Sequence, residues 1–359
     1  MSAAVRRVGC NKKPLLLGCG CLGCPLGFLV SLLGLSLLLT VVGVTYQSIG
    51  EARDRRQHPP PDQMVDVGRH RLHLYCTGAL AEAEDAPTVI LDAGLGGYSH
   101  DWVWVQPQVA EFARVCSYDR AGYAWSDPGP MPRDSQHVVA DLQTLLTGAD
   151  VPSPYVLVGH SFGGLNARLY AKQHPEQIVG VVLVDATPEN VYDDPAFAAQ
   201  WEGDRGEVLL FRTVAILSRS GALRLFVQLA GTEPLTFLRD YPLHLHDDIL
   251  AIAFLRTLYY ETVVAELETF EQSTRQVQAA GADPDRPYVV IARRLLEEQD
   301  GPDADPAQEE AWRRLQTELA ESLPQGVFVI AERSDHLVHM QQPDLVVEAI
   351  RQVVEAASD

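Results

Sequence analysis

The chain has 359 residues, of which 47% are hydrophobic, and this is enough apolar material for one large enzyme-sized core. It carries 48 acidic against 28 basic residues, a formal net charge of −20. This balance argues against nucleic acid or an anionic lipid surface as a partner.

The first fifty residues are the least charged part of the chain. Their charges are all basic and lie at Arg6, Arg7, Lys12 and Lys13. The apolar run 25–46 is long enough to cross a bilayer core of about 30 Å as a helix that rises about 1.5 Å per residue. We predict a transmembrane helix over 25–46, preceded by a basic, cysteine-rich segment over 1–24. A cleaved signal peptide is disfavoured because the run is long and lacks a small-x-small site.

The charges around the predicted span indicate its orientation. Four basic residues precede it and a cluster of both signs follows at 51–56, which favours a cytoplasmic N-terminus and an extracytoplasmic catalytic domain. A linker over 47–61 containing Pro59-Pro60-Pro61 is expected to hold that domain close to the membrane, because consecutive prolines stiffen the chain.

Four of the six cysteines lie beside the predicted span. They are Cys10, Cys19, Cys21 and Cys24. No histidine or second cysteine pair completes a zinc ligand set, so acylation close to the membrane is the favoured hypothesis for them.

A glycine-rich loop, Ala-Gly-Leu-Gly-Gly at 93–97, follows the predicted strand 88–92. Glycines let a backbone present its N–H groups to a substrate oxygen. We assign the amide of Leu95 to an oxyanion hole, together with the amide of Phe162 that follows the candidate nucleophile described next.

The main functional signal is the segment Gly-His-Ser-Phe-Gly at 159–163. It follows the apolar run 155–158 and precedes residues of helical character at 165–170. A strand that turns sharply into a helix at Gly-x-Ser-x-Gly exposes the serine hydroxyl, and the helix N-terminus adds partial positive charge beside it. Ser161 is therefore the predicted nucleophile.

A serine nucleophile needs a base to take its proton. His336 lies on a loop just past the predicted strand 327–331 and is favoured as that base. His339 is the competitor, but it lies where the chain turns toward the final helix.

The base in turn needs an acid that orients it. We favour Asp185, which ends the predicted strand 178–184. A carboxylate in the acidic loop 297–305, after the predicted strand 288–292, stays open as the alternative. Asp185 also has a structural interpretation as a turn or capping residue.

The order of these elements resembles the α/β-hydrolase superfamily, in the branch with a lid and a serine nucleophile. The resemblance covers roughly 62–355 and rests on Leu-Asp-Ala-Gly-Leu-Gly-Gly at 91–97, on Tyr-Asp-Arg-Ala-Gly-Tyr-Ala-Trp-Ser-Asp at 118–127, on the serine segment and on the late His336. Ala93 departs from the pattern, since many members carry a histidine there. A further departure is that no acid stands at the usual place after the seventh strand.

The resemblance implies an α/β fold with a mostly parallel eight-stranded sheet and helices on both faces. The hydrolase core would occupy 62–188 and 288–359, with a helical lid over 189–287. In that fold the strands that carry Cys76 and Cys116 are antiparallel neighbours, which implies a disulfide if the domain is extracytoplasmic. Two buried free thiols are the alternative.

These observations predict a membrane-anchored serine hydrolase, a carboxylic ester hydrolase or aminopeptidase-like enzyme. It would cleave an ester, thioester or amide of a small acyl substrate through an acyl-enzyme. No metal or organic cofactor is expected, because side chains alone activate the serine. An acyltransferase with the same triad and a non-catalytic binding module on a hydrolase scaffold are the alternatives. The serine disfavours the aspartate-nucleophile chemistry of dehalogenases and epoxide hydrolases.

Overall fold

The computed structural model describes residues 23–78, 86–296 and 305–357, without the side chains of 23–27 and 198–205. Residues 1–22 of the predicted basic segment and the candidate acids at 297–304 lie outside this part of the chain.

Eight strands form one sheet. In chain order they are β1 Gln63–Asp66, β2 Arg71–Thr77, β3 Thr88–Asp92, β4 Val115–Tyr118, β5 Tyr155–His160, β6 Ile178–Val184, β7 Pro287–Arg293 and β8 Gln325–Ala331. Their spatial order is β1-β2-β4-β3-β5-β6-β7-β8. Strand β2 is antiparallel to both of its neighbours and the other pairs are parallel. The predicted eight-stranded, mostly parallel sheet is confirmed.

The chain also contains helices, some of which pack on the two faces of this sheet. Their bounds are α1 Gly23–Gln57, α2 Gln106–Val109, α3 Ser135–Gly148, α4 Phe162–Gln173, α5 Ala198–Arg219, α6 Ala222–Ala230, α7 His246–Ile249, α8 Thr257–Glu268, α9 Phe270–Ala279, α10 Pro306–Ser322, α11 Val338–Gln341 and α12 Pro343–Ala356. Strand β5 shows why two layers form. Its residues Tyr155 and Leu157 belong to one core with α3 and α4, whereas Val156 and Val158 belong to a second core with α12. Alternate side chains of a strand point to opposite faces, so a strand buried on both sides needs helices on both.

Between β6 and β7, residues 189–286 (the insertion) contain no strand in their described secondary structure and are helical through α5 to α9. The lid predicted over 189–287 therefore ends at the first residue of β7. The insertion lies after the carboxyl end of β6. The loops that follow β3, β5, β6 and β8 leave the sheet at this same edge, because these strands are parallel. The topology therefore gathers the predicted site residues at the same end of the sheet as the insertion.

Helix α1 differs from its prediction at one end. Its residues 28–57 form a helix long and apolar enough to cross a membrane by length and composition, and the most apolar part of it is not buried in the protein. The predicted start of the linker at residue 47 is wrong, because α1 continues to Gln57. Contacts with the insertion stabilise the added turns: Gln47 donates to the carbonyl of Leu255 at 2.6 Å, and Glu51 accepts from the amide of Thr257 at 3.1 Å.

Strands β2 and β4, which lie near the sheet edge at β1, are joined by a covalent bond. Cys76 on β2 lies directly opposite Cys116 on β4, and their sulfurs form a disulfide. Of the two states left open by the sequence, the structure has the bonded one.

A buried ion pair lies near this disulfide. The Nδ1 atom of His73 is 2.8 Å from the Asp119 carboxylate, and its Nε2 atom is 2.6 Å from the carbonyl of Pro61. Both partners only accept, so both ring nitrogens carry protons. Burial lowers the pKa of His73, but the charge and hydrogen bond of Asp119 outweigh burial and leave that pKa raised.

We expect the disulfide to stabilise the fold. Cys76→Ala/Cys116→Ala should lower the free energy of unfolding by about 2–4 kcal/mol, because the bond closes a loop of 40 residues in the unfolded chain. Denaturant unfolding of the full chain in detergent measures this difference. Serine substitution of Cys10, Cys19, Cys21 and Cys24 is the matched control and should leave it unchanged. Alkylation of both thiols without reductant would show that the bond is absent.

We expect the ion pair to make stability depend on pH. Since the folded pKa of His73 is raised above the unfolded value of about 6.5, its stabilisation is complete below that pH and is lost as pH rises through the folded pKa. His73→Gln should therefore be more destabilising at pH 5.5 than at pH 9. Urea unfolding at both pH values tests this, with exposed His244→Gln as control. An equal loss at both values would contradict it.

Candidate active site

Ser161 lies on a strained turn between β5 and α4. Its backbone has φ 50° and ψ −116°, a conformation that a residue other than glycine rarely adopts. The flanking glycines are required by space: a Cβ atom on Gly159 would lie 2.4 Å from the carbonyl oxygen of Gly163, and one on Gly163 would lie 2.3 Å from that of Asp92. Strain at a single, partly buried serine, held by close packing on both sides, is typical of a functional turn.

His336 and Asp185 lie together at the carboxyl end of the parallel strands. The Nδ1 atom of His336 lies 2.6 Å from the carboxylate of Asp185, although 151 positions separate the two residues. Asp185 is fully buried, and its other oxygen accepts from the Trp312 indole at 2.9 Å and from the Arg293 amide at 3.1 Å. A carboxylate held on both oxygens can fix the orientation of the imidazole.

The structure brings Ser161 and His336 to the same cavity, of about 460 Å³, with Leu95 on its wall. Much of the rest of the wall comes from the insertion and from α10. These residues include Val191, Tyr192, Phe197, Leu267, Phe270 and Trp312. The same wall also carries the charged side chains of Glu207, Arg293 and Glu309, so the cavity beside the hydroxyl is apolar only in part.

The loop after β3 is held by a buried guanidinium that the sequence analysis did not single out. Arg120 donates to the carbonyls of Ala93 and Gly94, both at 2.6 Å. In a trans peptide the carbonyl and the following N–H point in opposite directions, so the amide of Leu95 faces away from Arg120. The amide of Phe162 is in the first turn of α4 and has no partner within the helix.

Arg120 also joins the core to the insertion. Its remaining N–H groups bind Asp92 at 2.9 Å and both oxygens of Glu266 on α8, at 2.8 and 3.1 Å. All five guanidinium donors thus have acceptors. Burial opposes the charge, but Glu266 and Asp92 outweigh it and raise the pKa of Arg120. The sequence signal that could have identified Arg120 is its position in the segment 118–127, which carries the family resemblance.

Two further histidines pack against the site. His160 donates its Nε2–H to the carbonyl of His336 at 2.9 Å, and burial lowers its pKa well below the usual value. His339 lies between the rings of His160 and Trp102, and burial with the nearby His336 lowers its pKa to about 3. Both rings are therefore neutral near pH 7. His339, the competing candidate base, is completely buried and does not contact Asp185 through any hydrogen bond found in the described chain.

A second cavity, of about 310 Å³, lies on the other side of Leu95. Its walls are largely aromatic and include Tyr98, Phe211, Phe237, Tyr241, Phe254 and Tyr259. Asp101 contributes the one carboxyl group of this lining, and burial raises its pKa to about 7. Tyr241 donates its hydroxyl to Asp101 at 2.7 Å.

Across 23–78, 86–296 and 305–357, no group of three or more histidine, cysteine, aspartate or glutamate side chains is arranged to hold a metal ion. Of the acidic loop weighed against Asp185, the described residue is Asp305, which caps α10 by accepting from the Ala307 amide at 2.9 Å.

Comparison with known proteins identifies the family. A model of the alpha/beta hydrolase family matches residues 89–349. A probable transporter, efuK, of Hormonema carpetanum is 35% identical over 133 residues, which are 36% of this chain and 19% of that protein. An AB hydrolase superfamily protein of Gibberella zeae is 22% identical over 79% of this chain and 91% of its own length. The chain matches less than two fifths of the length of each of the first curated relatives.

Solved structures show the same fold. A thermophilic esterase from Thermogutta terrifontis superposes with a TM-score of 0.54 at 21% identity, covering 82% of this chain and 98% of the esterase. At that identity the likeness supports the fold and not the substrate. Since the family model spans well over half of the chain, and the sheet order and the strand-turn-helix at Ser161 agree with it, the chain belongs to the alpha/beta hydrolase family.

Proposed function

We propose that this protein is a membrane-anchored serine hydrolase that cleaves an ester, thioester or amide through an acyl-enzyme. The observation that carries the proposal is the 2.6 Å contact between His336 and the buried Asp185, at the cavity where the strained Ser161 also lies. The family supports a hydrolase, and the two backbone amides near Ser161 support acyl chemistry.

In the proposed mechanism, Ser161 attacks the acyl carbon while His336 takes the hydroxyl proton through Nε2. Asp185 keeps the Nδ1 proton on the side away from the serine and stabilises the imidazolium that forms. The amides of Leu95 and Phe162 donate to the oxyanion, with Arg120 fixing the orientation of the Leu95 peptide. His336 then protonates the leaving group, and a water activated by the same base releases the acyl group.

The proposed place of this reaction is outside the cytoplasm. Helix α1 is apolar and long enough to span a bilayer. Four basic residues and no acidic one precede the span, whereas the cluster 51–56 that follows it has three basic and two acidic residues, which favours a cytoplasmic N-terminus. The disulfide between Cys76 and Cys116 supports the same side, because such bonds persist in oxidising compartments. The insertion would then act as a lid that excludes water from Ser161.

A fluorophosphonate probe tests the nucleophile. The full chain is used in detergent, because α1 packs on the insertion through Gln47 and Glu51 and truncation would remove these contacts. We expect covalent labelling of the wild type, and loss of label in Ser161→Ala and in His336→Ala, since the probe reacts with an activated serine. Ser322→Ala, an exposed serine at the end of α10, is the control and should label normally.

A folded wild type without label would contradict the proposal and favour a binding module on the hydrolase scaffold. Label that survives in Ser161→Ala would move the nucleophile elsewhere. Product analysis with an added alcohol separates a hydrolase from an acyltransferase, because a transferase forms the new ester in preference to the free acid.

Asp185→Asn tests the acid. We expect the rate of labelling to fall about 10²- to 10⁴-fold with the serine still present, because an amide favours the wrong tautomer of His336. The matched controls replace the acids of the loop 297–305 one at a time. They are Glu297→Gln, Glu298→Gln, Asp300→Asn, Asp303→Asn and Asp305→Asn. A large loss in one of these with a normal rate in Asp185→Asn would assign the acid to that loop.

A further inference from the structure

The helices α5 and α6 of the insertion expose a large apolar surface. We call it the hairpin surface and define it by Leu209, Leu210, Ile216, Leu217, Leu225, Phe226 and Leu229. Leu229 is 80% exposed, Ile216 69% and Leu209 65%, so these side chains are not covered by the protein. Seven exposed large apolar side chains on two adjoining helices are typical of an interaction surface.

Helix α6 has the reverse of the polarity expected for a helix on a protein in water. Its charged residue, Arg224, is buried, while Leu225, Phe226 and Leu229 face outward. An amphipathic helix in water places its charges outside and its leucines inside. The arrangement in α6 fits a helix whose outer side contacts hydrocarbon.

The charges near this surface also fit an apolar environment. From 208 to 232 the chain has no acidic residue, although it carries 48 of them in total. Three arginines occur in this stretch, and each is paired with a carboxylate: Arg212 with Glu268, Arg219 with Glu261, and Arg224 with Asp54. Paired charges lower the cost of leaving water.

The hairpin surface lies beside the C-terminal end of the exposed apolar stretch of α1. A Cβ atom on Gly43 would lie 2.2 Å from the carbonyl oxygen of Ser220, so α1 touches the turn between α5 and α6 directly. One helical turn later, Tyr46 donates its hydroxyl to Gln228 on α6 at 2.6 Å. The turn between the two helices is therefore at the level of the end of the 25–46 run.

We propose that the hairpin surface lies in the boundary between the headgroups and acyl chains of the bilayer that α1 spans. The partner is the lipid itself, and the inference rests on the proposed membrane anchoring by α1. The apolar side of α1 continues into the hairpin surface at Gly43 and Ser220, so one hydrocarbon phase covers both. The net charge of the whole chain does not oppose this, because the surface itself has no acidic residue.

The test places a fluorescent side chain on the hairpin surface. Leu229→Trp in the full chain is reconstituted into phosphatidylcholine vesicles with dibrominated acyl chains, and its emission is compared with that in unbrominated vesicles. The signal of the native tryptophans is subtracted using the parent protein in both lipids. We expect the added tryptophan to lose half or more of its emission, because bromine quenches only on contact.

Val327→Trp is the matched control. Val327 is apolar and 51% exposed, but it lies near the amino end of β8, away from the edge that carries the insertion. Its emission should change by less than a tenth. Phe226→Trp repeats the measurement at a second outward position, so that one misfolded variant does not decide the result.

Extraction with carbonate at high pH tests the anchoring by α1 separately from the position of the hairpin surface. If the wild type is released from the vesicles, the anchoring by α1 fails and the hairpin proposal fails with it. If the chain stays in the membrane but Leu229→Trp and Phe226→Trp are quenched no more than Val327→Trp, the anchor stands and the hairpin proposal is overturned. Cross-linking of two chains through the hairpin surface in that case would assign the surface to a second copy.

Discussion

The buried guanidinium of Arg120 is the interaction on which the arrangement of the site depends. It binds two carbonyls of the loop after β3, the carboxylate of Asp92 at the end of that strand, and Glu266 of the insertion. Removal of one member of such a buried set costs about 3–5 kcal/mol, because the remaining charge is left without a partner. One residue thus fixes the loop after β3 to the sheet and the insertion to the core at the same point.

The insertion is held from a second side by α1. Gln47 is buried against the carbonyl of Leu255, and Arg224 on α6 pairs with Asp54. A helix that could have ended with its apolar run instead continues as part of the folded domain. In the proposed membrane setting, any movement of the insertion away from Ser161 would have to break contacts with α1, so access to the serine and the position of the anchor are physically linked.

The sequence predicted the sheet well because strands buried on both faces read as short apolar runs, as 155–158 and 178–184 do. It predicted the serine turn because glycine is needed where Gly159 and Gly163 meet backbone oxygens. It missed the last turns of α1, whose residues 47–57 are polar and gain their helical structure from the insertion. It did not predict the contacts of Arg120, because the segment 118–127 indicates the family and not which of its side chains will be buried.

By itself, the sequence determined the fold class, the candidate nucleophile and the apolar helix, since each is written in a local pattern of periodicity or turn chemistry. Tertiary structure decided which carboxylate meets His336: Asp185 and His336 are 151 positions apart, and parallel strands alone bring their loops to one edge. It also decided that Cys76 pairs with Cys116 and that α6 buries its arginine. The physical reason is the same in each case, because long-range contacts depend on how the strands and helices pack and not on the residues nearby in sequence.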